Sequence, residues 1–136
     1  MQPEERSIPV GAAPNDAFFE RVGGEPFFSA LVDHFYALVA EDPILRPLYP
    51  PDLEPGKAHL AAFLAQYWGG PSRYSETRGH PRLRMRHAPF AIGPAERDAW
   101  VQHMTAAVRA MQLDAEDTAT LNTYFERTAT FLQNRT

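Results

Sequence analysis

The chain of 136 residues has no cysteine. Disulfides, iron–sulfur clusters, thiolate-bound metal centres and cysteine nucleophiles are excluded together, and a metal would have to be held by His, Asp, Glu, Tyr or Met. An excess of positive charge is missing as well. Thirteen Lys and Arg stand against 17 Asp and Glu, a formal charge of -4, so the electrostatic footprint of a nucleic-acid binder is absent. No apolar run reaches the length of a membrane span or a secretory leader, and the opening MQPEERSIPVGAAP carries charge early. The expectation is a cytoplasmic protein with neither a membrane nor a nucleic-acid partner. Nor does any stretch alternate cleanly with period two, which leaves no candidate strand.

With 44% hydrophobic and 22% charged residues, the chain can bury one modest core. Residues 1–14, rich in proline, alanine and scattered charge, read as a solvated extension without structure, and 15–136 as a single domain. Beyond residue 15 apolar residues recur at three and four, so the fold class is all-α. Asp16 to Val22 forms a short helix stopped by Gly23-Gly24, and Pro26 opens a longer one whose face is lined by Phe27, Leu31, Phe35 and Leu38. Asp42-Pro43 caps a single turn reaching Leu48. Leu60, Phe63, Leu64, Tyr67 and Trp68 then define an amphipathic helix from about Pro55 to Trp68, ended by Gly69-Gly70-Pro71. Ser72 to His80 has almost no aliphatic content and reads as irregular. Only a brief helix fits between Pro81 and His87. Gly93-Pro94 opens a helix bearing Trp100, Val101, Met104, Val108 and Met111, and Leu121, Tyr124, Phe125, Thr128, Phe131 and Leu132 mark the last.

A long irregular segment in so small a helical domain commonly lines a ligand site. It holds His80 and His87, and Arg82, Arg84 and Arg86 bring positive charge beside the second imidazole. That density suits a ligand with both a metal and carboxylates, although a solvated basic helix end reads the same way. Among the other histidines, His34 lies about 200° round its helix from Tyr36 and should face away from it. His80 reads as a turn residue before Pro81, and His59 flanks an apolar stripe at a rim position. His103, three residues beyond Trp100, competes with His87, and spacing does not choose between them. Tyr36, Tyr49 and Trp100 each pair a large apolar body with a hydrogen-bond donor. They could converge on one ligand or donate separately to carbonyls.

Three further motifs narrow these alternatives. Gln66-Tyr67-Trp68-Gly69-Gly70-Pro71, Tyr74-Ser75-Glu76 and the run from Arg78 to Phe90, RGHPRLRMRHAPF, follow one another in order. With Phe18-Phe19-Glu20-Arg21-Val22-Gly23-Gly24 they resemble the truncated haemoglobins, in particular the actinobacterial group II branch, from about Phe18 to Val108. The resemblance implies a two-over-two globin-like sandwich of helices around haem b. In that arrangement His87 is the proximal iron ligand, and Arg84, Arg86 and Tyr74 neighbour the propionates. Leu60 and Phe63 would pack on the distal face, and Leu83 and Met104 near the proximal side or ring edge. Trp100, Tyr36 and Tyr49 would be the distal donors. The distal position falls at about Gly56, with no histidine there and an opening to solvent.

The implied function is reversible binding of oxygen, and of CO and NO, with oxygen transport or storage as its class. An unidentified reductase would keep the iron ferrous, and a homodimer stays open. Two alternatives stand beside it: a haem-dependent redox enzyme, peroxidase-like or detoxifying nitric oxide, and a haem-free helical interaction module.

Overall fold

Eight helical segments follow one another in the computed structural model, which describes residues 16–79 and 82–136. The expected extension over 1–14 and the turn at His80 lie outside the described residues. α1 (Asp16–Val22) and α2 (Glu25–Ala40) are followed by a 3₁₀ turn (Arg46–Leu48), then by α3 (Glu54–Tyr67), α4 (Arg73–Arg78) and α5 (Leu83–His87). α6 (Pro94–Ala110) and α7 (Ala115–Leu132) complete the chain, and no strand occurs among the described residues. α2 packs on α3 and α6 on α7, and the two pairs meet where α2 lies on α6. This is the two-over-two arrangement that the resemblance implies.

Both double glycines serve one phenylalanine. Gly24 sits at φ 70°, a left-handed conformation that costs a glycine nothing, and it ends α1 while opening α2. A Cβ on Gly70 would stand 2.4 Å from the Phe19 ring and 2.8 Å from the Ala65 carbonyl, so only glycine lets the end of α3 close over that ring. α1 is tied to α7 by Arg21, whose guanidinium donates to both carboxylate oxygens of the buried Asp117 at 2.7 and 3.3 Å.

The core is continuous, with Phe28, Leu31, Phe35, Val39, Leu64, Met104, Val108 and Leu121 fully enclosed. Leu38, expected on the inner face of α2, is 36% exposed instead. The buried positions are 27, 28, 31, 32, 35, 36 and 39, a stripe whose centre lies one residue round from the one that Leu38 would share.

Two expectations change at the connections. Ser72 to His80 is not wholly irregular, because Arg73–Arg78 is helical. Its aliphatic poverty hid a polar anchor: Gln66 donates to Ser75 Oγ at 2.7 Å and accepts the Ser75 N–H at 2.9 Å, while Tyr74 is buried. The turn after Asp42 is helical only from Arg46, since the Asp42 carboxylate accepts the Ile44 and Leu45 N–H groups and holds the preceding residues as a capped turn. Glu96 accepts the Gly93 N–H at 2.8 Å before α6, and Asp114 accepts from Asp117 N at 2.8 Å before α7.

Candidate functional site

α5 is a single turn with no buried residue, so its imidazole is placed by hydrogen bonds more than by packing. His87 Nδ1 lies 2.7 Å from the Leu83 carbonyl. A carbonyl only accepts, so the proton is on Nδ1 and the Nε2 lone pair is the free one. Among the described residues no side chain hydrogen-bonds Nε2. Burial holds the imidazole below its usual pKa, with the Leu83 bond opposing that shift and the Arg86 charge adding to it. A neutral imidazole with a fixed tautomer and an open Nε2 is the form that coordinates iron.

His103 is engaged differently. Its Nε2 donates to Asp42 Oδ2, linking α6 to the corner after α2, and this bond is the main reason why the Asp42 carboxyl sits below the usual carboxylate range. The alternative that spacing left open thus resolves into two chemical environments. One imidazole is bonded through Nδ1 to a carbonyl of its own helical turn, and the other through Nε2 to the carboxylate of a distant element.

The three polar aromatics come together from three elements. Tyr36 of α2 lies edge-on to Tyr49 at 5.6 Å between ring centroids, and Phe35 joins Tyr36 at 5.5 Å to Trp100 of α6 at 5.4 Å. Burial pushes the Tyr36 phenol up to about 12 and raises Tyr49 as well, with Tyr36 adding to the rise. The Trp100 indole opposes it by donating toward the Tyr49 oxygen. Both phenols therefore keep their protons near neutral pH and remain donors. The Tyr49 backbone is held by Arg46, whose guanidinium donates to the carbonyls of Tyr49, Pro50 and Pro51 at 3.2, 3.0 and 3.0 Å.

Gly56 has a role that its expected place at an opening to solvent did not include. A Cβ there would stand 2.9 Å from the Tyr36 hydroxyl, so the phenol rests against the backbone of α3 in space that only glycine leaves. No described residue hydrogen-bonds that hydroxyl.

The candidate propionate neighbours separate. Arg86 lies over the Tyr74 ring at 6.0 Å and donates to the Arg78 carbonyl at 2.9 Å. Arg78 covers the same ring at 5.9 Å and approaches His59 Nε2 at 3.5 Å. Phe63 meets Tyr74 edge-on at 5.4 Å, which brings Tyr74, Arg86 and Phe63 into one cluster. Arg84 is elsewhere, 5.5 Å from the Phe131 ring of α7. Met104 is enclosed, and Leu60 and Leu83 are half-buried against the core.

Arg46, Arg78 and Asn134 are the contributors that sequence reasoning passed over. Asn134 bonds the segment after His87, and nothing in its spacing announces a contact 42 to 47 positions away. The residues fit a haem on this chain's own features. They provide an imidazole nitrogen that no described side chain bonds, protonated donors in one cluster with a Tyr36 hydroxyl that no described residue bonds, and a basic cluster suited to carboxylates.

Comparison with known proteins bears on the family and the fold. The family whose pattern matches residues 17–134 is described as bacterial-like globin. A Group 2 truncated hemoglobin of Bacillus subtilis is 42% identical over 113 residues, covering 83% of this chain and 86% of that protein. The structure of a hemoglobin from the thermophilic phototrophic bacterium Chloroflexus aurantiacus superimposes with a TM-score of 0.84 at 54% identity, over 87% of this chain and 98% of that one. A truncated oxygen-avid haemoglobin from Bacillus subtilis gives a TM-score of 0.81 at 41% identity, over 86% of this chain and 98% of the other.

Proposed function

Because this chain belongs to the bacterial-like globin family, and within it to the group II truncated haemoglobins, we propose that it binds oxygen reversibly at a haem b held by His87. The observation that carries this reading is the His87 ring, neutral, half-buried and bonded through Nδ1 to the Leu83 carbonyl, which leaves the Nε2 lone pair to an incoming ligand. A ferrous haem there would supply an iron coordination position for a diatomic ligand. His87 orients by its Nδ1–H bond, which also raises the electron-donating power of the opposite nitrogen.

Tyr36, Tyr49 and Trp100 would contribute donors to the ligand from one aromatic cluster. Such donors favour a ligand with partial negative charge over one with little, which orders oxygen ahead of carbon monoxide in their stabilising effect. This supports strong oxygen retention, in keeping with the oxygen-avid relative. Storage, sensing or redox chemistry fits slow release better than rapid delivery. Arg86, Tyr74 and Arg78 would hold propionates, with Leu60, Phe63, Leu83 and Met104 as apolar contacts. The same reading expects a cytoplasmic protein served by a reductase. No helix among the described residues is long and apolar enough to cross a membrane.

The test begins with the visible spectrum of the purified protein, where bound haem gives an intense Soret band and a haem-free interaction module gives none. His87→Ala should then abolish the ferrous iron–imidazole band in resonance Raman, while His103→Ala leaves it. Retention of that band in His87→Ala overturns the ligand assignment. Stopped-flow turnover with peroxide or nitric oxide separates a carrier from a redox enzyme.

A further inference from the structure

The last residues of the chain return to the segment that follows His87. α7 ends at Leu132, and the backbone turns extended at Gln133. Asn134 N and Arg135 N then donate to the Ile92 carbonyl at 2.8 and 3.0 Å, and the Ile92 N–H donates back to Asn134 Oδ1 at 2.9 Å. The other end of the same side chain, Nδ2, donates to the Phe90 carbonyl at 2.9 Å and toward the His87 carbonyl at 3.4 Å. One amide thus satisfies three backbone groups between His87 and Ile92, a stretch with no regular structure of its own.

Within that stretch itself one turn bond runs from the Phe90 N–H to the His87 carbonyl at 3.0 Å. α5 has five residues, none buried, and is preceded by Arg82 in a left-handed conformation at φ 47° that a side chain disfavours. Its exit leads through Ala88 and Phe90, both exposed, to Gly93 and α6. Leu83 against the core, Arg84 over Phe131 and the Arg86 bond to the Arg78 carbonyl hold its sides, but five residues offer too few contacts for packing alone to fix its rotation. Its entrance is held by the bond between His87 Nδ1 and the Leu83 carbonyl, and its exit by Asn134.

From this we infer that Asn134 is a positioning residue for the proximal ligand: by gripping the His87, Phe90 and Ile92 backbone it sets the tilt of the imidazole toward the iron. The inference rests on the haem reading above. With the clamp in place the ring presents Nε2 in one orientation. Without it α5 is free to rotate about its strained entrance, and the imidazole samples several tilts.

The test compares the ferrous holoprotein with Asn134→Ala, Asn134→Asp and, as a neighbouring control, Gln133→Ala, whose side chain donates only to the Arg135 carbonyl. Two readouts are taken: the iron–imidazole band in resonance Raman, and hydrogen exchange at the Ile92 amide. Asn134→Ala should broaden the band and move it to lower frequency, with Ile92 exchange accelerated roughly fivefold or more. Asn134→Asp keeps the acceptor for Ile92 but loses both donations, so it should move the band while Ile92 stays protected. This second variant covers the case in which Asn134→Ala does not fold. Gln133→Ala should change neither readout. A parent band left unmoved in both Asn134 variants overturns the clamp alone, because a merely structural contact would lower stability without touching the band. A parent protein with no iron–imidazole band overturns the haem reading, and the clamp's role with it.

Discussion

Placing a methyl group on Gly56 tests whether α3 and Tyr36 are matched to one another. The added Cβ would stand 2.9 Å from the Tyr36 hydroxyl oxygen, 3.6 Å from Cζ and 3.9 Å from Cε1. Ordinary contact between such atoms begins at about 3.5 Å, so the hydroxyl alone must retreat, by roughly half an ångström. It cannot retreat freely, since the ring is 6% exposed and boxed in by Phe35 and Tyr49. Overpacking of this kind costs about 1–3 kcal/mol. Against it stands the helical preference for alanine over glycine, at most about 1 kcal/mol. Gly56→Ala should therefore be net destabilising in the parent protein.

In Tyr36→Phe the offending atom is gone and the nearest remaining one, Cζ, is already at ordinary distance. There Gly56→Ala should be neutral or stabilising by up to about 1 kcal/mol, a reversal of sign. Urea unfolding of the four proteins under identical conditions, with unchanged m-values, measures the coupling, expected at about 1–3 kcal/mol. If Gly56→Ala changes stability equally in both backgrounds, the glycine is not there for the phenol.

Three further outcomes follow from the same geometry. Trp100→Phe removes an indole donor while keeping an aromatic filler, so oxygen dissociation should accelerate by roughly tenfold to 150-fold with carbon monoxide less affected. Equal acceleration of the two ligands in flash photolysis would mean that Trp100 shapes the pocket without donating. The Asp42 carboxyl is depressed chiefly by its bond to His103, so its stabilising contribution is present above about pH 4 and is lost as the pH falls through the lower folded value. Asp42→Asn should flatten the acid limb of the stability–pH curve, and an unchanged limb in urea titrations would remove Asp42 from the account. Because Arg86 joins the Tyr74 cluster and Arg84 lies over Phe131, Arg86→Gln should speed haem transfer to an acceptor protein more than Arg84→Gln does. The opposite order would exchange their roles.

Much of the fold was legible because helix signals are local. Pro26, Pro55 and Pro94 fall in first turns, Gly24 and Gly70 in stops, and the four-residue spacing of Phe27, Leu31 and Phe35 marks a buried face within one element. α4 escaped because its anchor is the Gln66 side chain meeting Ser75 across a turn, and a polar contact of that kind leaves no periodic trace. Leu38 misled for a related reason. Spacing gives the width of an apolar stripe, and only the neighbours decide where the stripe is centred.

The candidate site divides along the same line. Composition removed cysteine chemistry and argued against nucleic-acid binding, and the motifs around Trp68 and His87 carried the resemblance to the truncated haemoglobins with its imidazole and its three donors. All of this is encoded in residue identity and short spacing. The different surroundings of the two histidines were decided by tertiary structure, since Asp42 reaches His103 across 61 positions while the Leu83 carbonyl orients His87 from one turn away. Tertiary structure likewise decided the meeting of Tyr36, Tyr49 and Trp100, the fit of Tyr36 against Gly56, the parting of Arg84 from Arg86 and the return of Asn134 to His87. A one-dimensional pattern specifies how a segment turns upon itself, but the distance between two segments depends on how the whole core packs.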